Sequence, residues 1–300
     1  MTTGLREARG RGGAGLPVAG EPDGKSLRPA GANRLPGKHL GHHVGMPRLP
    51  TARRLALAVG PLALLAAAVG LPADPLSAAT ASYELRMGFD SGETLATGSR
   101  VFDTSGQRHG GTVLSGSGGA LSAVKGWHAT TSARFPTPCA AQPCKKSIIE
   151  VPSAPGLDLE YAPMEWGARL LLGATSTSSG QNLVQKGLYA DPSGQWKLQV
   201  DGGEGKPSCV VSGSRRDGSS GRVIVSSGVT VATGTWHKVS CRRTGRGVAI
   251  VVDGRQRGYQ DMRPVRLTGN APVRIGGKWV DREGNDQFHG LLDDVYVLRR

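Results

Sequence analysis

The sequence predicts an all-β protein, an antiparallel β-sandwich preceded by a disordered leader and a signal peptide. Three observations carry this. From Ser82 onward the chain breaks into apolar or alternating runs of about four to eight residues. Gly, Asp, Ser and Pro punctuate those runs, in a chain with 46 Gly and 19 Pro among 300 residues. No run keeps a helical period, and closely spaced strands without intervening helices favour a sandwich over an α/β fold.

Residues 1–45 are rich in Gly, Pro and Arg and lack apolar periodicity, so they are expected to be disordered. Two nucleotide-site lookalikes fall there: Gly10, Gly12 and Gly15 in a G-x-G-x-x-G pattern, and "GEPDGKS", one residue short of a phosphate-binding loop. Neither follows a strand or opens a helix, so neither has the setting that its chemistry requires. Residues 46–81 read as a secretory signal peptide, with Arg53 and Arg54, an apolar stretch from Leu55 to Leu71, and Ala79 and Ala81 before Ser82. Met46 is the expected initiator. The apolar stretch falls short of the ~20 residues of a spanning helix and contains Gly60 and Pro61, which favours cleavage over a retained anchor. The paired arginines also suggest the folded-protein export route, although "ARRLALA" lacks its usual phenylalanine. The expected product, residues 82–300, is secreted and has no stable membrane insertion.

Within it, strands are predicted at Glu84 to Phe89, Gly111 to Leu114, Ser132 to Phe135, Ser147 to Val151, Trp166 to Leu172, Asn182 to Lys186 and Gln195 to Val200. They continue at Ser208 to Ser212, Arg222 to Ser226, Trp236 to Arg243, Val248 to Val252, Val273 to Gly276 and Leu291 to Leu298. The stretch "WHKVSCRRTGRGVAIVVDGRQRG" holds a histidine, a cysteine and an aspartate and so invites comparison with a Cys/His/Asp active site. Period-two alternation instead puts His237, Val239 and Cys241 on one face, pointing to the interior, and Trp236, Lys238 and Ser240 on the other. Asp253-Gly254 matches a two-residue turn that accepts positive φ.

Of the 37 basic and 23 acidic residues, ten and four lie in residues 1–81, which leaves a net +8 on residues 82–300. Such a surface suits anionic polymers. The pairs Lys145-Lys146, Arg215-Arg216 and Arg242-Arg243 are scattered and not interleaved with aromatics, so no specific nucleic-acid site is predicted. The four cysteines, Cys139, Cys144, Cys209 and Cys241, are expected to form disulfides in an exported chain, and three pairings are possible. Spacing favours Cys139–Cys144 and Cys209–Cys241. A zinc site would need a second ligand pair that the chain lacks, and a thiol nucleophile would need Cys241 unpaired.

The Trp-His strand pair and its Val-Asp-Gly turn resemble laminin G-like domains of the concanavalin A-like lectin and glucanase superfamily. Further pieces follow in order: "GFDSG", "DTSGQRHGG", "RFPTPC", "NLVQKG", "WKLQVDGGEGKPSCV", "RIGGK" and "FHGLLDDVYV". The resemblance spans nearly all of residues 83–300 and implies a jelly roll that binds a glycan or a protein outside the cell.

Glucan hydrolases of the superfamily use Glu, one residue, Asp, two residues, Glu to set two carboxylates ~5 Å apart. In residues 82–300 no Glu is followed two positions later by Asp. Asp158-Leu159-Glu160 and Asp281-Arg282-Glu283 lack the third carboxylate, so no catalytic residue is assigned. The alternative is a hydrolase with a non-standard pair such as Asp281 and Glu283.

The resemblance also implies one structural Ca2+, with Asp293 as ligand and Asp90 and the Gly110 region as neighbours. The competing role for Asp293 is capping the turn before its strand. A ring face suits the C–H face of a sugar, and Trp127 and Trp279, in polar loop-like surroundings, are the candidate platforms. Trp166, Trp196 and Trp236 lie in or at strands and are expected in the core. The expected function is thus a non-catalytic binding module for a polysaccharide or a cell-surface or extracellular protein.

Overall fold

The structure is a computed structural model that describes residues 81–158, 160–189, 191 and 193–300. The expected leader, the signal peptide and the Met46 start lie outside the described residues, apart from Ala81. The first strands are β1 (Ser82–Met87), β2 (Arg100–Val101), β3 (Gly111–Gly116), β4 (Ser122–Lys125), β5 (Thr131–Arg134) and β6 (Lys146–Val151). Next come β7 (Met164–Leu171), β8 (Gly180–Lys186), β9 (Gln195–Asp201), β10 (Lys206–Ser214) and β11 (Ser220–Ser226). The last are β12 (Trp236–Arg243), β13 (Gly247–Val252), β14 (Arg255–Asp261), β15 (Val273–Ile275) and β16 (Leu291–Arg299). Short 3-10 turns are the only helical elements among the described residues, none of which forms a helix long and apolar enough to cross a membrane.

Two antiparallel sheets face each other. The first runs β14-β13-β12-β7-β16-β5-β4, with β1 also on β16; the second runs β11-β10-β9-β8-β15-β6-β3-β2. β16 pairs with β5 through Leu291 and Leu292 and with β1 from Val295 onward, and its register against β7 shifts between Asp293 and Tyr296. Asp293 therefore sits where one neighbour gives way to another.

Alternation places the core. In β9, Trp196, Leu198 and Val200 point inward, while Gln195, Lys197 and Gln199 lie on the outer face. Trp196 meets Trp166 of β7 at 5.7 Å between ring centroids. Each such side chain contributes roughly 1.5–3 kcal/mol through burial. Cys209 of β10 and Cys241 of β12 join the two sheets through this core, and Cys139 and Cys144 close a short loop. These are the pairings that the spacing favours, and no cysteine is free.

Three strands carry no clear sequence signal. β2 is two residues long, β4 is largely exposed, and β14 ("RQRGYQD") is an edge strand exposed along almost its whole length, so it has no apolar alternation to show. Two expected core residues lie at the margin instead. Trp236 is only partly buried, and His237 shares the face of Val239 but sits at the rim with 16% of its side chain exposed. At the end of a strand the facing sheet no longer covers it.

Candidate functional site

At that rim, Asp253 and Gly254 have φ of 51° and 77°, as the tight turn between β13 and β14 requires. Asp253 Oδ1 accepts the Lys238 N–H at 2.9 Å, and Oδ2 lies 2.8 Å from His237 Nδ1. His237 Nε2 lies 2.7 Å from Thr233 Oγ1. The result is a carboxylate–imidazole–hydroxyl line, but it borders none of the cavities described below. What it does is lock the β13–β14 turn to β12.

The expected metal ligands Asp293 and Asp90 lie at one turn. Asp293 is buried, and its Oδ2 accepts the Thr130 hydroxyl at 2.8 Å and the Trp127 N–H at 3.3 Å, while Oδ1 accepts the Asp294 N–H at 2.7 Å. Burial raises its carboxyl pKa, and those hydrogen bonds only partly oppose the rise. Asp90 Oδ1 accepts the Thr131 N–H at 2.7 Å, so both aspartates hold the turn of residues 127–131. Gly110 lies beside Val101 and Arg100 at the edge of the second sheet. Ca2+ takes six to eight oxygens. Here the Asp293 oxygens already accept N–H and O–H donors, and the adjacent Asp294 pairs with Arg169 at 2.9 Å and Arg86 at 3.6 Å. Among the described residues no group of three or more His, Cys, Asp or Glu is placed to hold a metal. In this arrangement the Asp293 carboxylate anchors the turn of residues 127–131.

The two candidate tryptophans are apart. Trp127, in the β4–β5 connection, packs edge-on against Trp236 at 6.5 Å, with the Arg169 guanidinium 4.9 Å from its ring centre. Trp279 belongs to the segment after β15. Gly276 opens that segment with φ of 87°, and a side chain there would collide with the Phe135 ring, so only glycine turns the chain at this point. Trp279 Nε1 donates to Glu283 O at 3.0 Å, which fixes the indole, and the Arg282 guanidinium lies 4.1 Å from its ring centre.

Trp279 borders a cavity of about 340 Å3 on the outer face of the second sheet. Gln195, Lys197 and Gln199 of β9 line it, with Tyr189, Val210 and Ile224. Tyr189 and Ile224 are 50% and 52% exposed. Several polar groups on this face lack partners. Gln195 Oε1, Asn182 Oδ1 and Ser212 Oγ are buried without a hydrogen bond, although Gln195 Nε2 donates to Gly187 O at 3.2 Å. Lys197 Nζ lies 4.0 Å from Asp286 Oδ2, which Lys278 Nζ approaches at 2.6 Å. Burial lowers the Lys197 pKa; Asp286 opposes this and Lys278 adds to it. The face thus offers apolar ring and aliphatic walls over amide and ammonium groups, a combination that recognises a molecule with one apolar and several hydroxylated sides. A search confined to tryptophans passes over Tyr189, whose signal is an aromatic in the Gly- and Pro-flanked loop "KGLYADPSG". Gln195 and Lys197 read only as the polar half of an alternating strand.

Residues 168–300 match the laminin G-type family model of the concanavalin A-like lectin/glucanases superfamily. That match runs from within β7 to the end of β16. Among solved structures the sandwich is similar to domain 4 of AbnA, a GH43 extracellular arabinanase from Geobacillus stearothermophilus, in complex with arabinotriose. There the identity is 18%, the TM-score 0.53, and the match covers 73% of this chain and 93% of that one. The binding domain of botulinum neurotoxin serotype D matches at 13% identity and TM-score 0.46, over 73% of this chain and 48% of that one. Domains LG4-5 of the mouse laminin alpha1 chain match at 14% identity and TM-score 0.32, over 47% and 34%. No curated protein sequence matches the chain.

Proposed function

We propose that residues 82–300 act as a secreted, non-catalytic module that binds an extracellular polysaccharide on the outer face of the second sheet. The carrying observation is the cavity between Trp279 and Tyr189, whose floor of Gln195, Lys197 and Gln199 includes a buried, unpartnered carbonyl oxygen. Leaving such a group without a partner costs about 1–3 kcal/mol, and a ligand hydroxyl that reaches it would offset that cost. Paired cysteines and the signal-like segment support export. The arabinanase domain in complex with arabinotriose has this fold, but its likeness extends to the fold alone, and the case here rests on the groove.

Hydrolysis finds less support. Glu283 pairs with Lys146, Asp281 lies 3.9 Å from Arg282, and neither lines the cavity. A retaining enzyme would need two carboxylates facing one another across its groove.

The test is affinity electrophoresis of the full chain against a polysaccharide panel, alongside Trp279→Ala and Tyr189→Ala. Retardation by at least one polymer, lost in both variants, supports the reading. Retention in both variants, or capture of proteins but no polymer, moves the function elsewhere, and reducing-sugar release lost in Glu283→Gln would restore the hydrolase.

A further inference from the structure

The groove continues past Tyr189. Tyr189 also lines a second cavity of about 520 Å3, together with Ser212, Ser214, Ser220, Arg222 and Asp191. The Arg222 guanidinium stacks on Tyr189, 3.4 Å from the ring centre. No carboxylate pairs with Arg222 among the described residues, whereas Arg242, Arg263, Arg266, Arg274 and Arg299 each have one. Asp191 is the one acid lining this cavity, and it accepts the N–H and hydroxyl of Ser193 in its own turn. In the neighbouring cavity, Lys197 and Lys278 both approach the Asp286 carboxylate, and Asp201 also acts on Lys197.

We infer that the groove takes an acidic polysaccharide, with a carboxylate-bearing sugar residue at Arg222 and a neighbouring residue packed on Trp279. This deepens the binding reading above and depends on it. The chemistry is specific. A guanidinium over an aromatic ring still presents a fork that matches the two oxygens of a carboxylate. The serine hydroxyls beside it suit the ring hydroxyls of the same sugar. Two cavities that share Tyr189 fit successive residues of a chain better than one free monosaccharide. The net +8 on residues 82–300 would draw a polyanion toward the surface, but it cannot choose this face. Arg222 can.

The experiment measures full-chain affinity at 0.15 M salt for polygalacturonate, alginate and hyaluronan, each beside its carboxyl-reduced neutral form. The variants are Arg222→Gln, Trp279→Ala and, as a control, Arg216→Gln, which lies over Tyr161 outside both cavities. The inference expects one acidic polymer to bind about tenfold tighter than its reduced form. Arg222→Gln removes that preference, and Arg216→Gln stays within about twofold of the parent. Equal affinity for a polymer and its reduced form overturns the inference, as does equal loss in both arginine variants, which would mark diffuse charge attraction. Binding only to neutral polymers, abolished by Trp279→Ala, overturns it while the glycan-binding reading survives. Binding to no polymer overturns both.

Discussion

The rim around the β13–β14 turn and the outer face of β8–β11 are built from similar polar side chains, yet they are satisfied to different degrees. At the rim, Asp253, His237 and Thr233 close on one another, and the backbone N–H of Lys238 is also held. On the sheet face, Gln195 Oε1, Asn182 Oδ1 and Ser212 Oγ have no partner, and Arg222 has a ring beneath it but no carboxylate. A polar group with every bond made contributes to the frame; one with a bond left over is available to something else. The motif that most resembles chemistry in the sequence is therefore the frame, and the plainer alternating strands carry the candidate site.

The comparison can be broken from the frame side first. Cys209→Ala with Cys241→Ala removes the link that closes a 32-residue separation between the sheets, and should lower stability by roughly 3–4 kcal/mol in urea unfolding. Groove affinity measured well below the melting temperature should be unchanged. On the groove side, Trp279→Ala should cost about 2 kcal/mol of glycan affinity, roughly thirtyfold, while the variant stays folded. A smaller frame effect is expected for Asp253→Asn, which weakens the lock on His237 and Lys238: about 0.5–1.5 kcal/mol in stability and no change in binding. A loss of binding in that variant would join the two regions and end the contrast.

The smallest expected effect is set by pH. Glu165 is buried, which by itself would raise its pKa, but Tyr296 at 2.7 Å, Arg300 and Arg242 outweigh burial and lower it. Asp103 behaves in the same way: the N–H groups of Ser105, Arg86 and His109 and the Ser105 hydroxyl overcome desolvation. Both folded values lie below the ordinary 4.5 and 3.8, so the stabilisation is complete above those values and is lost as pH falls through the lowered ones. Asp293, whose pKa is raised, acts in the opposite sense: its cost in the ionised form is relieved on acidification. Melting temperature followed from pH 6 to pH 2 should fall in the acid limb, and Glu165→Gln should flatten that fall.

Much of the frame could be read without coordinates. Trp236 to Arg243 appears as a strand with the boundaries expected, the Asp-Gly turn falls where positive φ is needed, and both cysteine pairs form as their spacing suggests. These are local properties, set by alternation, turn chemistry and short loops. β14 was harder to see, because an edge strand with little to bury has no alternation to display. The site was harder still. Trp279 was visible as an aromatic in polar surroundings, but its partners Tyr189, Gln195 and Arg222 come from separate strands and loops. Trp127, equally plausible in sequence, packs edge-on against Trp236.

By itself, then, the sequence determined the class of fold, the disulfides and the basic excess, because each depends on residue order and composition. Only the tertiary structure decided which polar groups were left unsatisfied. Whether Gln195, Ser212 or Arg222 finds a partner depends on what neighbouring strands and loops bring within about 3 Å, and no pattern along one strand specifies that.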